Sequence, residues 1–123
     1  MAKVLVAEDD SLLSSMIIRR LQADGYDTEA AYDGAQTLEK IKGWKPDLLL
    51  LDILMPGKNG YDVLEVMQVE GLRGGMHIII LTNLSAKEDI DRAKKYGVTD
   101  FLVKAQTSLA EVADKVKGSL ASK

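Results

Sequence analysis

Residues 48–60 read Leu-Leu-Leu-Leu-Asp-Ile-Leu-Met-Pro-Gly-Lys-Asn-Gly, an unbroken apolar run that stops at one acid and passes into a turn-forming stretch. A run this short, with no polar residue alternating in it, suits a strand buried on both faces, as in a parallel sheet covered by helices on either side. Met55-Pro56-Gly57 marks a turn directly after it. Asp52 is therefore expected where a buried strand meets solvent.

Outward from this stretch the same texture recurs. Val4-Leu5-Val6-Ala7, Ile78-Ile79-Ile80-Leu81 and Phe101-Leu102-Val103 are further short apolar runs. Thr28-Glu29-Ala30-Ala31 is a more polar candidate that fits a sheet edge. Between the runs lie segments of helical period: Leu12, Leu13, Met16, Ile17 and Leu21; Ala35, Leu38 and Ile41; Val63, Leu64 and Met67; Ala86, Ile90 and Ala93; and Leu109, Val112, Val116 and Leu120. Gly25, Gly71 and Gly97 stand where left-handed helix ends are expected. Ser85-Ala86-Lys87-Glu88 has the form of a capping box, which predicts that the fourth helix starts there. Trp44, ahead of Lys45-Pro46, reads as a partly exposed loop aromatic, and Met55, Met67 and Met76 as core fillers. Five β–α repeats imply an α/β fold with parallel strands, right-handed crossovers and helices on both faces of the sheet. No linker or shift of composition divides residues 1–123, so one domain is expected, with no spare segment for a DNA-binding helix-turn-helix.

Composition limits what such a domain does. The 123 residues are 46% hydrophobic and 28% charged, with a net charge of −3 and no cysteine, which excludes thiol catalysis, disulfides and thiolate-bound metals. No run approaches the ~20 apolar residues that cross a bilayer, and the short apolar segment after Met1-Ala2-Lys3 does not make a signal-peptide core. A cytoplasmic protein is expected. Arg19-Arg20, Lys94-Lys95 and Lys115/Lys117 lie among acids at helical spacing, so they read as solvated helix faces, and neither a membrane nor direct nucleic-acid contact is expected. His77, the single histidine, reads as the start of a strand.

In a parallel α/β sheet the carboxyl ends of all strands open on one edge, where ligands bind. The first strand runs into Glu8-Asp9-Asp10, the third into Asp52, the fourth into Thr82 and the fifth into Lys104. Sheet stability requires none of this convergence. Each residue alone has an ordinary explanation: Asp10 as helix N-terminal charge, Asp52 as a turn acid, Thr82 and Lys104 as strand residues, Phe101 as core. Jointly they suit phosphoryl transfer. Glu8, Asp9 and Asp52 form an oxygen-ligand set for Mg²⁺. Lys104 can neutralise a transferring phosphoryl group, and the Thr82 hydroxyl can donate to one of its oxygens.

With these motifs in place, the chain resembles the receiver domains of bacterial response regulators. The resemblance rests on residues 4–10, residues 50–60, Ile80-Leu81-Thr82 and residues 100–104, in that order and spacing, and spans essentially the whole chain. It implies a stand-alone receiver of flavodoxin-like (βα)5 fold, a three-layer sandwich whose five-stranded parallel sheet has strand order 2-1-3-4-5. It implies Asp52 as phosphoacceptor, Glu8 and Asp9 as the acidic pair for Mg²⁺, and the Leu54 backbone carbonyl as a further metal ligand. Thr82 would be the switch hydroxyl, Phe101 the aromatic that follows it, and Lys104 the partner of the phosphoryl group. The phosphodonor would be a histidine kinase or phosphotransfer protein. The output would be a conformational switch read by a protein target on the face made by the fourth helix, fifth strand and fifth helix, so the domain signals rather than serving as a dedicated enzyme.

The chain departs from the family pattern at two places. Ala105 follows Lys104 where the family usually has proline after a cis bond; retention of cis is expected here, because it would aim Lys104 at the site. Asn83 replaces a small residue beside Thr82, and either crowds the acceptor or hydrogen-bonds the phosphoryl group. Leu54 and Leu84 flank the site without polar atoms to orient a water, which predicts slow self-dephosphorylation. Other readings fit less well. A dehalogenase-type phosphatase wants a second acid where Leu54 stands, a flavodoxin wants a hydroxyl- and glycine-rich loop where Glu8-Asp9-Asp10 stands, and a pseudo-receiver acting as an unphosphorylated interaction module would not need the intact acids and lysine.

Overall fold

The computed structural model describes residues 2–121. Strands and helices alternate along the chain: β1 (Lys3–Ala7), α1 (Ser11–Ala23), β2 (Asp27–Ala31), α2 (Gly34–Trp44), β3 (Leu48–Leu51), α3 (Gly60–Glu70), β4 (His77–Thr82), α4 (Lys87–Lys95), β5 (Asp100–Val103) and α5 (Leu109–Ala121). The five strands are all parallel and lie in the order β2-β1-β3-β4-β5. This is the flavodoxin-like arrangement that the family resemblance implies. The β3 run Leu48–Leu51 is buried throughout, whereas edge strand β2 is only partly covered.

Side-chain alternation splits the core in two. Leu5, Leu49, Leu51, Ile78 and Ile80 face α2, α3 and α4, packing with Leu38, Ile41, Val63, Leu64, Met67 and Ala93. Val4, Val6, Leu48, Leu50, Ile79 and Leu81 face α1 and α5, packing with Ile17, Leu21, Val112 and Val116. Burying a Leu, Ile or Val side chain contributes roughly 1.5–3 kcal/mol, so the central strands, apolar on both faces, anchor the sheet. Met55, Met67 and Met76 are buried here, as gap-filling predicts. No helix among the described residues is long and apolar enough to cross a membrane.

Some sequence expectations give way. The apolar stripe of α1 is wider than its buried face: Leu12 is 71% exposed and Met16 43%, while Ser14 is buried instead. The Ser85 capping box does not form. Helix α4 begins one residue later, with Ala86 as its N-cap, no side-chain cap, and the Ala86 carbonyl accepting from Asp89 and Ile90. Its placement is tied to α3 downstream of that end, where the Tyr61 hydroxyl donates to the Asp89 carbonyl at 2.9 Å. Capping boxes occur instead at α3, between Asn59 and Asp62, and before α5, where Ser108 and Glu111 exchange hydrogen bonds at 2.9 and 3.1 Å. Trp44 ends α2 rather than lying in a loop, and packs on the core with the Lys3 ammonium 5.6 Å from its ring centroid.

The segment after β3 is shaped by a close approach. The Gly60 N–H donates to the Ile53 carbonyl at 2.9 Å, folding the chain back on itself. A Cβ at Gly60 would stand 2.7 Å from the Asp52 carbonyl oxygen and 2.8 Å from the Ile53 Cα, so backbone, not a flexible side chain, blocks it. Gly60→Ala should lower unfolding stability by roughly 1–3 kcal/mol, the usual penalty of overpacking, measured by chemical denaturation. An unchanged midpoint would show that the loop yields without cost.

Candidate functional site

Parallel strand direction brings the ends of β1, β3, β4 and β5 to one edge, and the β1–β3 register sets Ala7 opposite Leu51. Glu8 and Asp52, each one residue past its strand, are therefore neighbours. They are 2% and 3% exposed. Glu8, Asp9 and Asp52 each offer a carboxylate oxygen within 4.8 Å of the others, a group that could hold a metal ion. Asp9 is the solvent-exposed member. Asp10 turns away to cap α1, accepting from the N–H groups of Leu12 and Leu13 at 3.0 and 3.1 Å.

Lys104 closes the group from β5. Its ammonium lies 2.6 Å from Glu8 Oε1 and 2.7 Å from Asp52 Oδ2. The other oxygens are also engaged: Glu8 Oε2 accepts from the Asp10 N–H, and Asp52 Oδ1 from the Leu54 N–H, both at 3.1 Å. Leu54 is thus bound to the acid by its backbone while its side chain is 54% exposed. Burial pushes the Glu8 carboxyl up to about 7, against the pull of Lys104 and the Asp10 N–H, with the Asp52 charge adding to the rise. Burial alone would pull the Lys104 ammonium down, but its bonds to Asp52 and Glu8 more than reverse this and hold it above the usual lysine range. Two buried carboxylates thus share one ammonium, with Asp9 beside them. Hard oxygen donors in such excess over positive charge are the donor set that Mg²⁺ or a similar cation takes.

Thr82 ends β4 fully buried, and its hydroxyl has no hydrogen-bond partner. A buried unpaired hydroxyl costs about 1–3 kcal/mol, and the Ser14 hydroxyl in α1 is in the same condition. The β4–β5 register pairs Ile80 with Phe101 and Thr82 with Val103. By alternation, Thr82 lies on the sheet face of Ile80, and Phe101 packs on the core of that face.

The expected cis bond between Lys104 and Ala105 is absent; the described residues contain no cis peptide. A non-proline cis bond costs about 3 kcal/mol, and the chain aims Lys104 by another route. Lys104–Gln106 form a single 3-10 turn, with the Thr107 hydroxyl donating to the Val103 carbonyl at 2.8 Å. The Ala105 N–H, which proline would lack, donates to Asn83 Oδ1 at 3.0 Å. Neither role foreseen for Asn83 anticipated this contact. Its signal was the pairing of two departures, an amide beside Thr82 and a free N–H after Lys104.

A family model for the response regulator receiver domain matches residues 4–117. The chain belongs to that family. Curated relatives include the DNA-binding response regulator MtrA of Mycobacterium tuberculosis and of Mycobacterium leprae, each 34% identical over 83% of this chain. The chain spans less than half of their length, 43% and 44% respectively. Similar solved structures include the receiver domain of Francisella response regulator 1452, at TM-score 0.89 and 29% identity with both chains covered completely. Another is chemotaxis protein CheY4 of Vibrio cholerae, at TM-score 0.88 and 27% identity, covering 97% of this chain and 98% of that one. A CheY-like receiver from Methanospirillum hungatei reaches TM-score 0.91 at 25% identity, over 99% and 95%. The receiver fold of two-component response regulators is therefore established for this chain.

The acid group makes a pH prediction. With the Glu8 carboxyl at about 7, a cation must displace a proton below that value and none above it, while Lys104 stays charged throughout. Mg²⁺ affinity measured by calorimetric titration should rise roughly tenfold from one pH unit below that value to one unit above, the result of a single competing proton. A flat profile would remove Glu8 from the ligand set.

Proposed function

We propose that Asp52 is the phosphoacceptor of this receiver domain, taking a phosphoryl group from a histidine kinase or phosphotransfer protein in a Mg²⁺-dependent reaction. The observation that carries this reading is the Lys104 ammonium held between Glu8 and Asp52 at 2.6 and 2.7 Å, on the strand edge where ligands bind in such folds. Glu8, Asp9, Asp52 and the Leu54 carbonyl would hold Mg²⁺, which when bound supplies positive charge against the carboxylates and the incoming phosphoryl oxygens.

In the reaction, a carboxylate oxygen of Asp52 forms the new O–P bond as the bond from phosphorus to the donor breaks, and the donor leaves with that electron pair. Lys104 then exchanges a carboxylate contact for one with the added phosphoryl group, and the Thr82 hydroxyl gains the acceptor it lacks. Movement of Thr82 toward that acceptor opens space on its face of the sheet, into which Phe101 turns. The change reaches a protein target through α4, β5 and α5, a population shift rather than a catalytic output. The domain remains a signalling module that promotes its own phosphorylation and hydrolysis. Leu54 and Leu84 give an attacking water no hydrogen bond, so the acyl phosphate decays slowly.

Incubation with acetyl phosphate and Mg²⁺, followed by intact-mass measurement, should show one added phosphoryl group that persists over the time course and is lost in Asp52→Asn. A protein that gains no mass at any Mg²⁺ concentration would instead be an unphosphorylated interaction module.

A further inference from the structure

Lys104 has to reach two buried carboxylates at once, so the direction in which its backbone presents the side chain matters as much as its charge. That backbone lies in a single 3-10 turn with no side-chain cap of its own, and the first N–H groups of any helical turn lack partners within it. Here the peptide unit that follows Lys104 is gripped at both ends. Its N–H, from Ala105, donates to Asn83 Oδ1 at 3.0 Å, and its carbonyl, from Lys104, accepts from the Thr107 N–H at 3.3 Å. A peptide unit is planar, so holding both ends fixes the rotation that joins Lys104 to it.

We propose that Asn83 is a positioning residue for phosphoryl transfer: its side-chain carbonyl, by accepting the Ala105 N–H, fixes the backbone of Lys104 and holds the ammonium in line with Asp52. The tie bridges 22 residues of sequence and joins the loop after β4 to the loop after β5. Asn83 is also the chain neighbour of Thr82, so the residue that awaits the phosphoryl group and the one that aims the lysine are linked through a single side chain. Asn83 is exposed, so water replaces its bond to Ala105 when the amide is removed, and the fold survives. What is lost is the aim of Lys104. The inference rests on Asp52 being the phosphoacceptor.

The test compares the intact chain with Asn83→Ala, Asn83→Asp, Lys104→Met and the Asn83→Ala/Lys104→Met pair. Phosphorylation is followed with acetyl phosphate at saturating Mg²⁺, and Mg²⁺ affinity is measured separately by calorimetry. Asn83→Ala should slow phosphorylation roughly threefold to tenfold, the scale of one net hydrogen bond. Its Mg²⁺ affinity should be unchanged or tighter, because the lysine and the cation compete for oxygens of Glu8 and Asp52; general damage to the site would weaken both. Asn83→Asp keeps an acceptor oxygen and should recover most of the rate. In the Lys104→Met background, Asn83→Ala should change nothing further. A rate equal to or above that of the unmodified protein, an effect that persists without Lys104, or a parallel loss of Mg²⁺ affinity would overturn the proposal. Failure of the unmodified protein to take a phosphoryl group would instead refute the acceptor reading, and the proposal with it.

Discussion

The ammonium of Lys104, shared between Glu8 and Asp52, is the interaction on which the site depends. Charges taken out of water carry a penalty of several kcal/mol each, and close geometry and additional hydrogen bonds are what offset it. Both conditions hold here, since each acid also accepts a backbone N–H at 3.1 Å. The balance is nevertheless incomplete. Asp9 stands beside two carboxylates that share one cation, and burial, with a smaller contribution from the Asp52 charge, pushes the Glu8 carboxyl up. A site short of positive charge is one that a metal ion could complete, and it fits the cation and the Asp52 phosphoryl group proposed for it.

The frame around the site is uneven in stiffness. β1, β3 and β4 are buried on both faces, but α4 buries only Ala93 among its own residues. Polar contacts attach it to α3: the Tyr61 hydroxyl on the Asp89 carbonyl, the Arg92 guanidinium 4.1 Å from the Tyr61 ring centroid, and the Tyr96 hydroxyl on Glu65 at 2.8 Å. Burial and the neighbouring Asp89 push the Tyr61 hydroxyl up to about 12, so it remains a donor across the whole physiological range. Hydrogen bonds and a cation–π contact near the surface are individually worth about 1 kcal/mol. Such attachments can be exchanged at low cost, unlike the packed strands, and they hold one helix, α4, of the face proposed to carry the output.

Strand positions were legible because four consecutive leucines, or three isoleucines and a leucine, have few alternatives to a doubly buried strand. The convergence of Glu8, Asp52, Thr82 and Lys104 followed from parallel direction alone. Side-chain partners were less legible. Ser85 and Glu88 satisfy the pattern of a capping box, yet α4 starts one residue later. Leu12 and Met16 share a helical stripe with Ile17 and Leu21, and only the sheet decides which of them it covers. Ala105 by itself favours the trans bond found after Lys104, since a non-proline cis bond costs about 3 kcal/mol; what it could not show is the partner of its N–H, Asn83, which is distant in sequence.

If the buried acids form an unbalanced site that a cation completes, thermal unfolding with and without Mg²⁺ will show it. Because a ligand that binds the folded state stabilises it, Mg²⁺ should raise the unfolding midpoint of the unmodified protein, with most of the gain lost in Asp52→Asn and in Glu8→Gln. An equal gain in all three proteins, or none in any, would mean that Glu8 and Asp52 hold no such cation.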